Sequence, residues 1–262
     1  MSRFTVQDSE LQFLDVGTGD DRRAIAFRHR PGAGPTVVWF GGFRSDMDST
    51  KAASLDAWGE RSGRAVLRFD YSGHGRSGGR FEDGTISRWL EDAQAVLAAC
   101  GGDRPVVVGS SMGGWIALLA ARAAAARGQA LGGLVLIAPA VDFTEALMWQ
   151  ALPDAVRAVI MEEGVWHRPS AYSDQPYPIT RALIEDGRRH LMLDGPPIVA
   201  GCPVHVLQGM QDPDVPWRHA MGVVEHMPGD DVVTTLIRDG DHRLSRAEDI
   251  ERLIAAVEGL SS

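Results

Sequence analysis

The chain holds only two cysteines, Cys100 and Cys202, and neither belongs to a C-x-x-C pair. Zinc and dithiol redox motifs are therefore missing, and no disulfide framework can be read from the spacing. Basic excess is missing too. The net charge of −9 argues against nucleic acid or an anionic membrane surface as a main partner. No apolar run is long enough to cross a bilayer. The opening residues, MSRFTVQDSELQFLDVG, lack an apolar h-region and carry Asp8, Glu10 and Asp15, so a secretory leader is not expected and a cytoplasmic location is. No G-x-x-x-x-G-K-S/T loop is present, so P-loop nucleotide chemistry is not expected.

What is present is ordinary for a globular protein: 262 residues, 44% hydrophobic and 23% charged. Short β-branched runs alternate with amphipathic ones. Strands are expected at 11–16, 22–29, 36–40, 65–70, 106–110, 134–138, 203–208 and 232–237. The first two form a hairpin through residues 17–21. Helices are expected at 49–62, 87–100, 112–127, 217–227 and 247–260. This rhythm predicts an α/β fold: a mostly parallel eight-stranded sheet with helices on both faces. It breaks at residues 141–200, which hold six of the 14 prolines and the scattered aromatics Trp149, Trp166, Tyr172 and Tyr177. No strand-like run is read there before residue 198. Residues 1–140 and 201–262 are thus expected to form the core. Residues 141–200 are expected to form a helical cap over the carboxyl edge of the sheet, where ligands bind in such folds.

One stretch carries chemistry. Gly109-Ser110-Ser111-Met112-Gly113 fits G-x-S-x-G between an expected strand and an expected helix, the setting of a nucleophile elbow. Only Ser111 has glycine two residues away on both sides, so Ser111 is the candidate nucleophile and Ser110 a small packing residue. A serine hydroxyl needs a base, and this fold supplies Ser, then an acid, then His, in chain order. Of the histidines beyond Ser111, His205 falls in a strand and is expected to be packed. His219 and His226 fall on a helix and are expected at the surface, and His167 and His190 lie in the cap. His242 sits in "RDGDHRLSR" after the last strand and is the candidate base. "VHVLQGMQDPDVPW" offers Asp212 and Asp214, with Asp142 a third acid; Asp212 is the choice. Asp214 is expected to cap the turn or the helix near Pro216. Asp239 and Asp241 flank the histidine too closely to reach its ring.

An acyl-transfer site also needs oxyanion donors. The Met112 N–H is one, and the loop "WFGGFRSDM" offers the Phe43 N–H. "DYSGHGRSGG" is read as a structural turn in which Asp70 bonds backbone, despite its glycine-flanked His74. Met148, Trp149, Leu152 and Trp166 are candidates for an acyl pocket. Arg44 is a candidate for holding a carboxylate or glucuronide.

These residues together resemble the α/β-hydrolase superfamily over nearly the whole chain. "FDYSGHGRS", "VGSSMGGW", "GMQDPDVPW" and "DGDHRLS" fall in the family's order. "GVWHRPSAYS" and the closing "DHR" carry a narrower likeness to the palmitoyl-protein thioesterase branch, also described as acyl-glucuronide esterases of mycophenolic acid, with its bacterial relatives. The resemblance implies a serine hydrolase of small acyl esters or thioesters, without cofactor or metal, using Ser111, Asp212 and His242. It departs where many members have His-Gly and this chain has Gly41-Gly42. The same triad could serve a carbon–carbon bond hydrolase or a lactonase, and a silent triad would leave a binding module. A monomer or small homo-oligomer is expected.

Overall fold

The computed structural model describes residues 9–169 and 176–260. Its main sheet has eight strands: β1 (Leu11–Val16), β2 (Arg23–Arg30), β3 (Ala33–Phe40), β4 (Arg64–Phe69), β5 (Val106–Ser110), β6 (Gly133–Ile137), β9 (Val204–Gly209) and β10 (Val232–Ile237). Their order is β1-β2-β4-β3-β5-β6-β9-β10. β2 runs antiparallel to β1 and β4, and every later pairing is parallel. The alternating rhythm is thus realised with shifts of a few residues at element ends.

The parallel strands are buried on both faces, which is why they read as unbroken runs such as Val106-Val107-Val108. α1 (Thr50–Ser62) and α7 (Ala247–Leu260) cover one face, packing Leu55, Trp58, Leu253 and Val257 against Val37, Val106 and Val135. α2 (Ile86–Cys100) and α3 (Met112–Ala126) cover the other, with Trp89, Val96, Trp115 and Leu118 against Val38, Val107 and Leu134. α6 (Trp217–Glu225) joins that second face through Val223.

The described residues of the 141–200 segment are less helical than expected. They contain α4 (Asp154–Glu163) and α5 (Arg181–Gly187), but also a two-stranded antiparallel sheet of β7 (Val165–Arg168) and β8 (Tyr177–Thr180). Each strand has only four residues, and Pro178 interrupts the second, so neither shows the alternation that marks a strand in sequence. Residues 170–175 between these strands, with Tyr172 and the end of "GVWHRPSAYS", lie outside the described residues.

Asp142 anchors the start of this segment. It is buried, and its carboxylate accepts the N–H groups of Met192 (2.9 Å) and Leu193 (2.8 Å). That role removes it from the candidate acids. His219 ties α6 to the same point through its Nε2 and the Val141 carbonyl, 2.8 Å apart. It is half-buried rather than on the surface, because the segment folds back over that helix.

Candidate active site

All six parallel strands end at one edge, and the loops beyond them build the site. β5 ends at Ser110, and Ser111 turns the chain into α3 with φ 54° and ψ −119°. A left-handed φ is costly for a residue with a Cβ, so the surroundings must hold it. They do. The Ser111 N–H donates to the Ile137 carbonyl at 2.8 Å, and its own carbonyl accepts from Gly114 and Ala140. The flanking glycines are sterically required. A Cβ on Gly109 would lie 2.5 Å from the Gly113 carbonyl oxygen, and one on Gly113 would lie 2.2 Å from the Phe40 carbonyl oxygen. Ser110 is buried inside the turn, as expected.

His242, after β10, brings Nε2 to 3.1 Å from Ser111 Oγ. Its Nδ1 lies 2.8 Å from Asp212 Oδ2. Asp212 follows β9 with a fully buried side chain. Oδ1 accepts from the N–H groups of Asp214 (2.9 Å) and Val215 (2.8 Å), and Oδ2 also accepts from Gln208 Nε2 at 3.3 Å. A carboxylate so held can only accept, so Nδ1 carries the imidazole hydrogen and Nε2 is free to take one from Ser111.

Asp214 differs from its neighbour and from expectation. Its side chain is exposed and caps no helix; Pro216 occupies the N-cap of α6. Asp212, Asp214 and His242 are near enough to share a cation. The 2.8 Å bond between Asp212 and His242 already engages Asp212 Oδ2 and His242 Nδ1.

A cleft of about 560 Å³ opens over Ser111 and His242. Gly42, Phe43 and Arg44 form one wall, Ser49, Thr50 and Lys51 another, and Asp214, Arg243 and Ser245 a third; Tyr177 comes from β8. Phe43 lines this cleft, Met112 follows Ser111 as the first residue of α3, and neither amide has an acceptor among the described residues. The loop carrying Phe43 is close: a Cβ on Gly42 would lie 3.4 Å from Ser111 Cβ.

Of the five expected substrate contacts, only Arg44 lines this cleft. Met148 is buried in the core, and Leu152 and Trp166 pack against it. Trp149 lies under the guanidinium groups of Arg188 and Arg157. These four side chains complete the hydrophobic packing of the second face instead. Arg44 is stacked, with its guanidinium carbon 5.0 Å from the Tyr177 ring centroid.

The sequence pattern did not mark Lys51, Arg243, Tyr177 or Asp214 as cleft residues. Lys51 leaves one trace there: it is the chain's single lysine. Burial, then the nearby Arg243 charge, pushes its ammonium down to about 8. Arg44, Lys51 and Arg243 form no ion pair among the described residues, whereas Arg23, Arg30 and Arg246 elsewhere are each clasped by carboxylates.

The turn after β4 behaves as read. Buried Asp70 accepts the N–H groups of Met47 (2.7 Å) and Arg76 (2.8 Å). Gly73, Gly75 and Gly78 also spell G-x-G-x-x-G, but α2 begins only at Ile86, so the helix N-terminus of a dinucleotide site does not follow directly. His74 is buried there, and burial pushes its imidazole down to about 4.

Residues 20–256 match the alpha/beta hydrolase family. The chain is 32% identical to the human mitochondrial palmitoyl-protein thioesterase ABHD10 over 255 residues, covering 97% of this chain and 81% of that protein. Its fold superposes on a putative hydrolase from Agrobacterium vitis S4 with a TM-score of 0.93 and 50% identity, covering 98% of this chain and all of the other. It superposes on mouse alpha/beta hydrolase domain-containing protein 10 with a TM-score of 0.83 and 31% identity, covering 96% and 98%.

Proposed function

The chain belongs to the alpha/beta hydrolase family, and from that premise we propose that it is a serine hydrolase of small carboxylic esters or thioesters. One observation carries the reading: Asp212, His242 and Ser111 are linked by hydrogen bonds of 2.8 Å and 3.1 Å at the floor of an open cleft. In the first step His242 Nε2 takes the Ser111 proton as Oγ attacks the substrate carbonyl carbon. The Met112 and Phe43 N–H groups donate to the oxyanion of the tetrahedral intermediate. Collapse breaks the bond to the leaving thiol or alcohol, which receives the proton from His242. Water then repeats the sequence on the acyl-enzyme and releases the acid. Asp212 keeps the imidazole in the Nδ1–H tautomer and offsets its positive charge when protonated.

The cleft's cations, which have no ion pair among the described residues, refine the substrate. Arg44, Lys51 and Arg243 face the volume that the acyl and leaving groups share. They favour esters that bear a carboxylate or another acid on one of these groups. Tyr177, from β8, is the residue through which the described part of the 141–200 segment covers this volume as a cap.

Fluorophosphonate labelling with peptide mass spectrometry tests the reading. Expected is a single adduct on Ser111 that disappears in His242→Ala. Ser111→Ala should lower kcat on a 4-nitrophenyl ester by about 10⁴-fold or more, with residual turnover left to binding and the oxyanion donors. Wild-type turnover in that variant, or no adduct on folded protein, would return the chain to the binding-module reading.

A further inference from the structure

Three observations converge on His74, a residue that touches no reacting atom. The first is its tautomer. The Ser72 carbonyl accepts from Trp89 Nε1 at 3.1 Å and lies 3.2 Å from His74 Nδ1. A carbonyl oxygen has no hydrogen to give, so Nδ1 carries the ring hydrogen and Nε2 presents a lone pair. That lone pair accepts the Arg44 N–H at 3.1 Å. Ser72 is itself pinned, since its N–H and its hydroxyl both donate to Asp92 Oδ2, at 2.9 and 2.7 Å. Asp92 Oδ1 accepts from buried Arg23 at 2.7 Å.

The second is backbone strain at the other end of this bond. Arg44 has φ 59°, a left-handed conformation that is unfavourable for a residue with a Cβ. It persists only where neighbours enforce it. The third is shared packing. The Phe43 ring lies 5.0 Å from Phe81 and 5.9 Å from Trp89, and the His74 ring packs on the same two at 5.1 and 5.3 Å. The peptide between Phe43 and Arg44 is therefore held on both sides by one aromatic cluster, of which His74 and Trp89 are buried.

We propose that His74 is a positioning residue of the oxyanion loop, its Nε2 gripping the Arg44 N–H so that the Phe43 N–H stays aimed beside Ser111. The inference rests on the serine-hydrolase reading. His74 accepts one hydrogen bond and transfers no proton. Its contribution is realised in the transition state, because the Phe43 donor matters most once charge develops on the substrate oxygen.

The test compares His74→Gln with His74→Asn. The glutamine amide oxygen reaches the place of Nε2, while the shorter asparagine reaches only that of Nδ1. On a 4-nitrophenyl ester, His74→Asn is expected to lose roughly 10–100-fold in kcat with KM within about twofold. Affinity for a trifluoromethyl ketone, which forms a tetrahedral adduct with the serine, should fall by the same factor. His74→Gln should recover most of both losses. A role in folding alone would lower the melting temperature of both variants and leave kcat per folded molecule and ketone affinity unchanged. That result, or equal kinetics for Gln and Asn, would overturn the proposal.

Should neither variant fold, ¹⁵N spectra of the wild-type imidazole still decide. An unprotonated, hydrogen-bonded Nε2 supports the role, and an Nε2–H tautomer removes it. Fluorophosphonate labelling of the wild type separates the two levels. Labelled Ser111 with indifferent His74 variants would sink only the positioning role. An unlabelled Ser111 would sink the serine reading and this role with it.

Discussion

The elbow and the segment at 141–200 border the same cleft but are built on different terms. At the elbow almost every atom is committed by backbone geometry. Ser111 has a left-handed φ, and the glycines at 109 and 113 have a carbonyl oxygen where a Cβ would stand. In the segment, apolar side chains are abundant, yet Met148, Leu152 and Trp166 pack on the core, Trp149 lies under two arginines, and Tyr177 reaches the cleft. A site fixed by close backbone contacts leaves a residue-by-residue trace. A surface fixed by hydrophobic burial can be satisfied by many arrangements, so its composition says that it packs and not what it packs against.

Gly113→Ala strikes at the first half of that contrast and should have the largest effect. The new Cβ would stand 2.2 Å from the Phe40 carbonyl oxygen, which is backbone and cannot swing away. A shift of the elbow by a fraction of an ångström follows, and kcat should fall by about 10²-fold, with stability lowered by about 1–3 kcal/mol. Gly222→Ala, in α6, is the matched control, since a Cβ there meets nothing within 4 Å. It should leave kcat unchanged and raise the melting temperature slightly, because alanine is the better helix former. Similar kinetics in the two variants would mean that the elbow is not geometrically committed.

The same contrast explains what could be read in advance. The β/α rhythm and the register that selects Ser111 over Ser110 follow from local rules about turns and strand ends; the choice of Asp212 and His242 also uses the chain order that such a fold imposes. β7 and β8 were invisible because four residues cannot display a period, and Pro178 hides the second strand further. His74 reads as a turn residue because its importance lies in an acceptor bond to Arg44, 30 positions away in sequence. Lys51 and Arg243 are brought together across 192 positions by the Lys51 ammonium donating to the Arg243 carbonyl, a pairing that no local pattern announces.

The second half of the contrast is sharpened by Trp149→Ala against Tyr177→Ala. Removing Trp149 deletes a partly buried ring under Arg157 and Arg188, so the loss should appear in stability, about 1–3 kcal/mol by denaturant titration. Its kcat/KM should stay within about threefold of wild type. Removing Tyr177 takes away a cleft wall and the platform under Arg44, so KM for an acid-bearing ester should rise roughly tenfold, equivalent to about 1.4 kcal/mol. Equal KM effects would erase the division between packing residues and contact residues within the segment.

The smallest expected effect lies on the far wall of the cleft, at Lys51, and depends on pH. Burial is the larger cause of its depressed ammonium, the Arg243 charge the second, and the Asp241 and Asp249 carboxylates pull the other way, leaving it at about 8. Below that pH Lys51 is charged and attracts an acid group on the substrate; as pH climbs through about 8 the free enzyme loses that charge and the attraction fades. A bound anion favours the ammonium form, so the loss should appear in KM and not in kcat. The sign for stability is opposite. The unfolded chain holds this proton up to its ordinary value of 10.5, so between about 8 and 10.5 the unfolded state binds more protons, and Lys51 alone makes the fold more stable as pH rises. The measurement is the ratio of KM values for a carboxylate-bearing and a neutral ester of equal size across pH 7 to 10, in wild type and in Lys51→Met. The wild-type ratio should rise severalfold through this range and the variant's should stay flat. A ratio independent of pH in both would remove Lys51 from substrate recognition and leave Arg44 and Arg243 as the cations that set it.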